Sequence, residues 1–133
     1  MTSLLRTSAL LLIALPLQAA DEFEFRGEER PVHDKTVTVD ELREQRQRRD
    51  VVVLDVRLLE DFEADPVLIP EATYRDPELI EAWAGDIPKD SKVVVYCVRG
   101  KWVSHKAADY LTRHGLDAYT LEGGIEAWKQ SSD

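Results

Sequence analysis

The sequence predicts an α/β domain: a small, mostly parallel sheet flanked by helices in three layers. Three observations predict it. Val51–Val56 and Val93–Tyr96 are short, continuously apolar and rich in valine, the pattern of strands buried on both faces. Polar stretches with helical spacing alternate with these runs, and such alternation implies right-handed β-α-β crossovers. An apolar fraction of 44% in 133 residues suffices for one core.

Residues 1–19 read as an export signal. Arg6 provides the positive flank, Ala9–Leu15 is an unbroken apolar run, and Pro16 ends it. Leu17-Gln18-Ala19 suits cleavage before Ala20, which places the mature chain in a bacterial periplasm with no membrane attachment. The run is far shorter than the ~20 residues that span a bilayer. No cysteine stands at the cleavage site, which argues against a lipoprotein. Residues 20–35 are charged, carry Gly27 and Pro31, and read as a linker or irregular lead-in to a domain over 36–130. Phe23 and Phe25 are candidates to pack against that domain, and His33 is expected to face solvent.

Thr36–Val39 alternates as a short strand, and Thr38 with Glu41 fits a capping box for a helix over Val39–Arg48. Arg43, Arg46, Arg48 and Arg49 on that helix read as a solvated face. Val51–Val56 is a central strand, and Leu58–Ala64 is a short helix stopped before Pro66. Pro77–Trp83 is a helix with proline in its first turn. Val93–Tyr96 is the next strand, and Ser104–His114 is a helix ended by Gly115. Ala118–Leu121 is the last strand, Gly123-Gly124 a tight turn, and Ile125–Gln130 the closing helix with Trp128 turned inward.

The chemistry concentrates after the Val93–Tyr96 strand. Cys97, the only cysteine, is followed by Val98-Arg99-Gly100-Lys101-Trp102-Val103 and then Ser104. Strand, tight loop and helix N-terminus form an anion cradle in which backbone N–H groups converge. The loop amides, Arg99 and Lys101 all favour the thiolate over the thiol, so Cys97 is the candidate nucleophile. A lone thiol forms no internal disulfide, and any persulfide or sulfenate on it must be discharged by an outside molecule. In open α/β sheets the ligand crevice lies beyond the strand carboxyl ends. Asp55 and Arg57, at the end of the Val51–Val56 run, should therefore converge on Cys97. Asp55 is expected to accept bonds that hold the loop, and Arg57 to pair with Glu60 or Asp61. Arg75 is a candidate third cation over the pocket. His105 faces solvent or pairs with the cysteine, and Trp102 lines the pocket mouth or packs the loop.

Cys97-Val98-Arg99-Gly100 followed by a helix resembles the active-site loop of rhodanese-like sulfurtransferases. Leu54-Asp55-Val56-Arg57 is similar to that family's strand-end D-x-R motif, and Gly123-Gly124 through Trp128 to its terminal G-G-x-x-x-W signature. The likeness covers about 37–130. It departs at Leu68 and Glu71, where the family carries His and Gly. The loop also looks one residue longer than usual, close to that of Cdc25-type phosphatases, with Val103 where those need arginine.

The resemblance implies a sulfurtransferase with no metal or organic cofactor. Cys97 would take the sulfane sulfur of a small anionic donor such as thiosulfate and pass it to cyanide, a thiol or a protein acceptor. Residues Val98, Arg99, Gly100, Lys101, Trp102, Val103 and Ser104 would bind substrate, with Asp55, Arg57, Arg75 and Gly123 in support. A non-catalytic sulfane-sulfur or redox-sensing or partner-binding module is the alternative. A phosphatase or arsenate reductase would need a bidentate cation that Val103 does not supply. The formal charge of -9 argues against nucleic acid.

Overall fold

The computed structural model describes residues 23–49 and 51–131. The export-signal expectation falls on 1–19 and lies outside them. The elements run β1 (Thr36–Val37), α1 (Val39–Arg48), β2 (Val52–Asp55), α2 (Leu59–Ala64), β3 (Thr73–Tyr74), α3 (Ile80–Trp83), β4 (Lys92–Tyr96), α4 (Trp102–Arg113), β5 (Asp117–Leu121) and α5 (Gly124–Gln130). All five strands are parallel, in the order β1-β5-β4-β2-β3. β4 is central, with Leu54 opposite Val95 on β2 and Thr120 opposite Val95 on β5.

Strand alternation divides the core. Val93, Val95 and then Cys97 join Leu54, Ile80, Trp83, Ala107 and Leu111 on the face covered by α3 and α4. Val94 and Tyr96 join Val37, Leu42, Val53 and Ile125 on the face covered by α1 and α5. Cys97 thus continues the β4 alternation one step past the strand's end, and its side chain turns towards α4.

The capping box on α1 forms as expected, with Glu41 N–H donating to Thr38 Oγ1 and Thr38 N–H to Glu41 Oε1. Leu116 N–H donates to Leu111 O past Gly115, which adopts φ +90° and ends α4. Arg43 and Arg46 are not simply a solvated face: their guanidinium carbons lie 4.4 and 5.5 Å from the Trp128 ring centre. Trp128 is half-buried beneath them.

Three expectations on the elements need correction. The expected helix over Pro77–Trp83 is not one element; a 3-10 turn over Pro77–Leu79 precedes the four residues of α3, and another over Ala84–Asp86 follows it. The edge strand β3 was not expected. α4 begins at Trp102 rather than Ser104, so four residues separate Cys97 from the helix.

The lead-in is part of the domain rather than a linker. Phe25 is buried in the α4-side core, and Phe23 packs beside Tyr110 with ring centres 4.9 Å apart. Lys106, 2% exposed, reaches from α4 to donate to Glu24 O and Gly27 O. Burial, then the charge of Arg30, pushes its ammonium down from the ordinary lysine value. His33 is buried too, with Nε2 2.8 Å from Ala118 O. β1 pairs only with Thr120 and Leu121, so the His33 ring meets a β5 carbonyl that β1 stops short of.

Candidate active site at the carboxyl edge of the sheet

The site is built where β2 and β4 end. Asp55, fully buried, accepts from the Arg57 backbone N–H at 3.0 Å and from its guanidinium at 2.6 to 3.0 Å. Arg57 Nη1 donates to Asp65 O and Nη2 to Val67 O, which ties the chain after α2 to the end of β2. Tyr74 Oη donates to Arg57 O. Burial works against the Arg57 charge, but the hydrogen bonds and charge of Asp55 override it and hold the guanidinium above its ordinary value. Arg57 therefore pairs with Asp55, not with Glu60 or Asp61. Asp55 holds Arg57 rather than the cysteine loop, because two residues along one strand end lie within reach of each other.

The cysteine loop is held instead by its carbonyls. Ile125 N–H donates to Cys97 O at 2.9 Å and Glu126 N–H to Val98 O at 3.1 Å, so the start of α5 is capped by the loop. A Cβ on Gly124 would stand 2.5 Å from both carbonyl oxygens, and the residue has φ +62°. Gly100, at φ +72°, packs against Gly123 from the loop side, where an added Cβ would stand 2.8 Å from the Gly123 nitrogen. These contacts turn the Cys97 and Val98 carbonyls outward. The N–H groups of Val98 through Val103 have no protein acceptor among the described residues. Successive donors left free in such a turn form an anion-binding concavity.

Gly124→Ala should therefore lower stability by roughly 2 kcal/mol or more, from left-handed backbone strain plus contact with backbone that cannot move aside. Urea titration checks it against Gly85→Ala, where an added Cβ meets nothing within 4 Å. Equal midpoints for the two variants would refute the requirement for close approach.

Cys97 is 4% exposed, and it forms part of the wall of an open cavity of about 240 Å³. Its Sγ–H donates to Ser104 Oγ at 3.2 Å, and the Ser104 hydroxyl lies 3.4 Å from Lys101 O. Val98, Arg99, Lys101, Trp102 and Val103 share the wall with Arg57. Gly100 and Ser104 stand behind it, one against the Gly123 turn and one beneath the sulfur. Arg99 is 68% exposed and pairs with Glu126 at 3.3 Å.

Arg75 does not line the cavity. Its backbone N–H donates to Asp55 O, which ends the β2–β3 ladder. His105 does not pair with the cysteine; its Nδ1 accepts from the His33 backbone N–H at 2.8 Å. Trp102 lines the cavity and also packs: Phe25 lies 5.7 Å away between ring centres, and the Arg30 guanidinium carbon 3.9 Å from its ring centre. Leu58 and Asp61 complete the wall and were not anticipated as such. Their signal was positional, since both follow a strand that ends at the crevice.

Fold and site together define a parallel α/β domain that carries its single cysteine in a tight loop at the carboxyl edge of the sheet. The chain is a member of the rhodanese-like domain family, whose model matches residues 38–131. It is 38% identical over 80 residues to a sulfurtransferase of Allochromatium vinosum, a match covering 59% of this chain and 72% of that protein. It is 34% identical over 84 residues to thiosulfate sulfurtransferase GlpE of Pseudomonas savastanoi pv. phaseolicola, covering 62% and 76%. The solved rhodanese-like domain protein of Staphylococcus aureus superposes with a TM-score of 0.63 at 30% identity, covering 71% of this chain and 90% of that one.

Proposed function

We propose that this protein is a sulfurtransferase that moves a sulfane sulfur from thiosulfate or a similar anionic donor, through a persulfide on Cys97, to a thiol or cyanide. The similarity to named sulfurtransferases supports the class of reaction. The observation that carries the mechanism is the loop whose carbonyls are engaged by α5 while its amides stay unengaged around Cys97. The Cys97 thiolate attacks the outer sulfur of the donor. The new S–S bond forms as the bond to the sulfonate sulfur breaks, and sulfite leaves with the electron pair. The negative charge left on the terminal sulfur falls among the loop N–H groups and the N-terminus of α4. Lys101, which has no carboxylate partner among the described residues, draws the dianion to an otherwise acidic protein. The signal-like segment over 1–19 supports action in the periplasm, and a protein acceptor is compatible with the open cavity.

A phosphoryl-transfer reading lacks its clamp. Arg99, the loop's one arginine, is drawn to Glu126, and Val103 lies in the cavity wall.

The test is intact-mass spectrometry after incubation with thiosulfate: the chain should gain ~32 Da, one sulfur atom, removable by cyanide. An unchanged mass would refute the reading. Ser104→Ala should slow that gain roughly fivefold. Once sulfur is charged, the hydroxyl turns from Lys101 O to donate to it, a bond worth about 1 kcal/mol. Quenched-flow mass spectrometry reads the rate, and an unaltered rate would remove Ser104 from the mechanism.

A further inference from the structure

A second cavity, of about 340 Å³, lies beside the first and shares Lys101 and Trp102 with it. Its other walls are Arg30, Pro31 and Val32 from the lead-in, Gly100 from the cysteine loop and His105 from α4. The lead-in residues precede the region that the family model matches, while Lys101, Trp102 and His105 lie within it.

Its charges are unlike those around it. Arg57 is paired with Asp55 and Arg99 with Glu126, whereas neither Arg30 nor Lys101 has a carboxylate partner among the described residues. Arg30 is nevertheless held in place: Nη1 donates to Gly27 O and Glu29 O, and the guanidinium sits over the Trp102 ring. Its Nε and Nη2 have no protein acceptor among the described residues. His105 Nδ1 is occupied by the His33 N–H, which leaves its other nitrogen as the free one. Pro31 and the 85% exposed Val32 add an apolar rim. Two cations with no carboxylate partner among the described residues, beside a short apolar wall on a protein of formal charge -9, suit a small organic anion.

We propose that this cavity is the acceptor subsite, and that the acceptor is a low-molecular-weight thiol bearing a carboxylate. The inference rests on the sulfurtransferase reading and specifies its second half. The carboxylate engages Arg30 and Lys101, the carbon chain lies on Val32 and Trp102, and the sulfur reaches past Trp102 to Cys97. The acceptor thiol gives its proton to solvent, and its thiolate attacks the outer sulfur of the Cys97 persulfide. A bond forms between acceptor sulfur and outer sulfur while the bond from outer sulfur to Cys97 Sγ breaks. The electron pair returns to Sγ, so the thiolate is restored and the acceptor leaves as its own persulfide, with no outside oxidant.

The full chain is loaded with thiosulfate, freed of donor, and discharged with 6-mercaptohexanoate or 6-mercaptohexanol, long enough to span from Arg30 past Trp102, while intact mass follows loss of the added sulfur. The readout is the ratio of the two discharge rates, charged thiol over neutral thiol. In Arg30→Gln that ratio should fall about tenfold, the loss of one charge-assisted contact. Val32→Glu, which adds a carboxylate at an exposed position without touching the core, should lower it as well. An unchanged ratio in both variants overturns the proposal, including the case where both thiols slow equally because the lead-in has merely shifted. Failure of the parent chain to load at all would instead overturn the sulfurtransferase reading, and the subsite with it.

Discussion

Cys97→Ser will gain no mass from thiosulfate and will release no sulfite. The expectation is all-or-none because the chain contains one thiol, so no neighbour can substitute or rescue. A serine hydroxyl at the same place stays protonated at neutral pH and cannot form a persulfide. The substitution should leave the fold intact. The cysteine stands past the end of β4, is anchored by its carbonyl to Ile125, and meets Ser104 through a contact that a hydroxyl can also make. Circular dichroism and urea titration of the variant therefore separate lost chemistry from lost structure. Sulfur retained on a folded Cys97→Ser chain would show that the nucleophile is elsewhere.

Asp55→Ala should be the most destabilising single substitution in the domain, at about 3–5 kcal/mol. Both partners of the pair are buried, and removing the carboxylate leaves the Arg57 guanidinium in the interior without a counter-charge. It also strips the acceptor from the Arg57 backbone N–H. Small domains hold only about 5–15 kcal/mol in total, so the loss should be visible as a large drop in the urea midpoint. Adding Arg57→Met to the variant should recover part of it, because the stranded charge is then gone. If the single variant lost less than the double, the pair would not be acting as a compensated buried unit. The effect on sulfur uptake is indirect: Arg57 also secures the Asp65–Val67 turn and forms one wall of the cavity.

Most of the architecture was legible in the sequence because its signals are local. Valine runs, the Thr38–Glu41 capping box and the glycine after α4 each specify an element within a few residues. The start of α4 was misplaced for a physical reason. Lys101, at the cap position, makes no side-chain cap that residue type could reveal, and the Ser104 hydroxyl, already inside the helix, accepts from Cys97. β3 escaped because two residues at a sheet edge carry no periodicity. His33 looked like a surface residue in a charged segment, and only the carbonyl of Ala118, 85 positions away, explains its burial.

By itself the sequence determined the fold class, the place of the single cysteine at a strand end, and the glycines that let two loops touch, since these depend on residue type and short spacing. Tertiary structure alone decided which charges remain available. Asp55 and Glu126 claim Arg57 and Arg99, while Lys101 and Arg30 have no acidic partner among the described residues. It also decided that the lead-in forms a second cavity beside the first. Pairing of charges depends on distances across the fold, and no spacing along the chain encodes them.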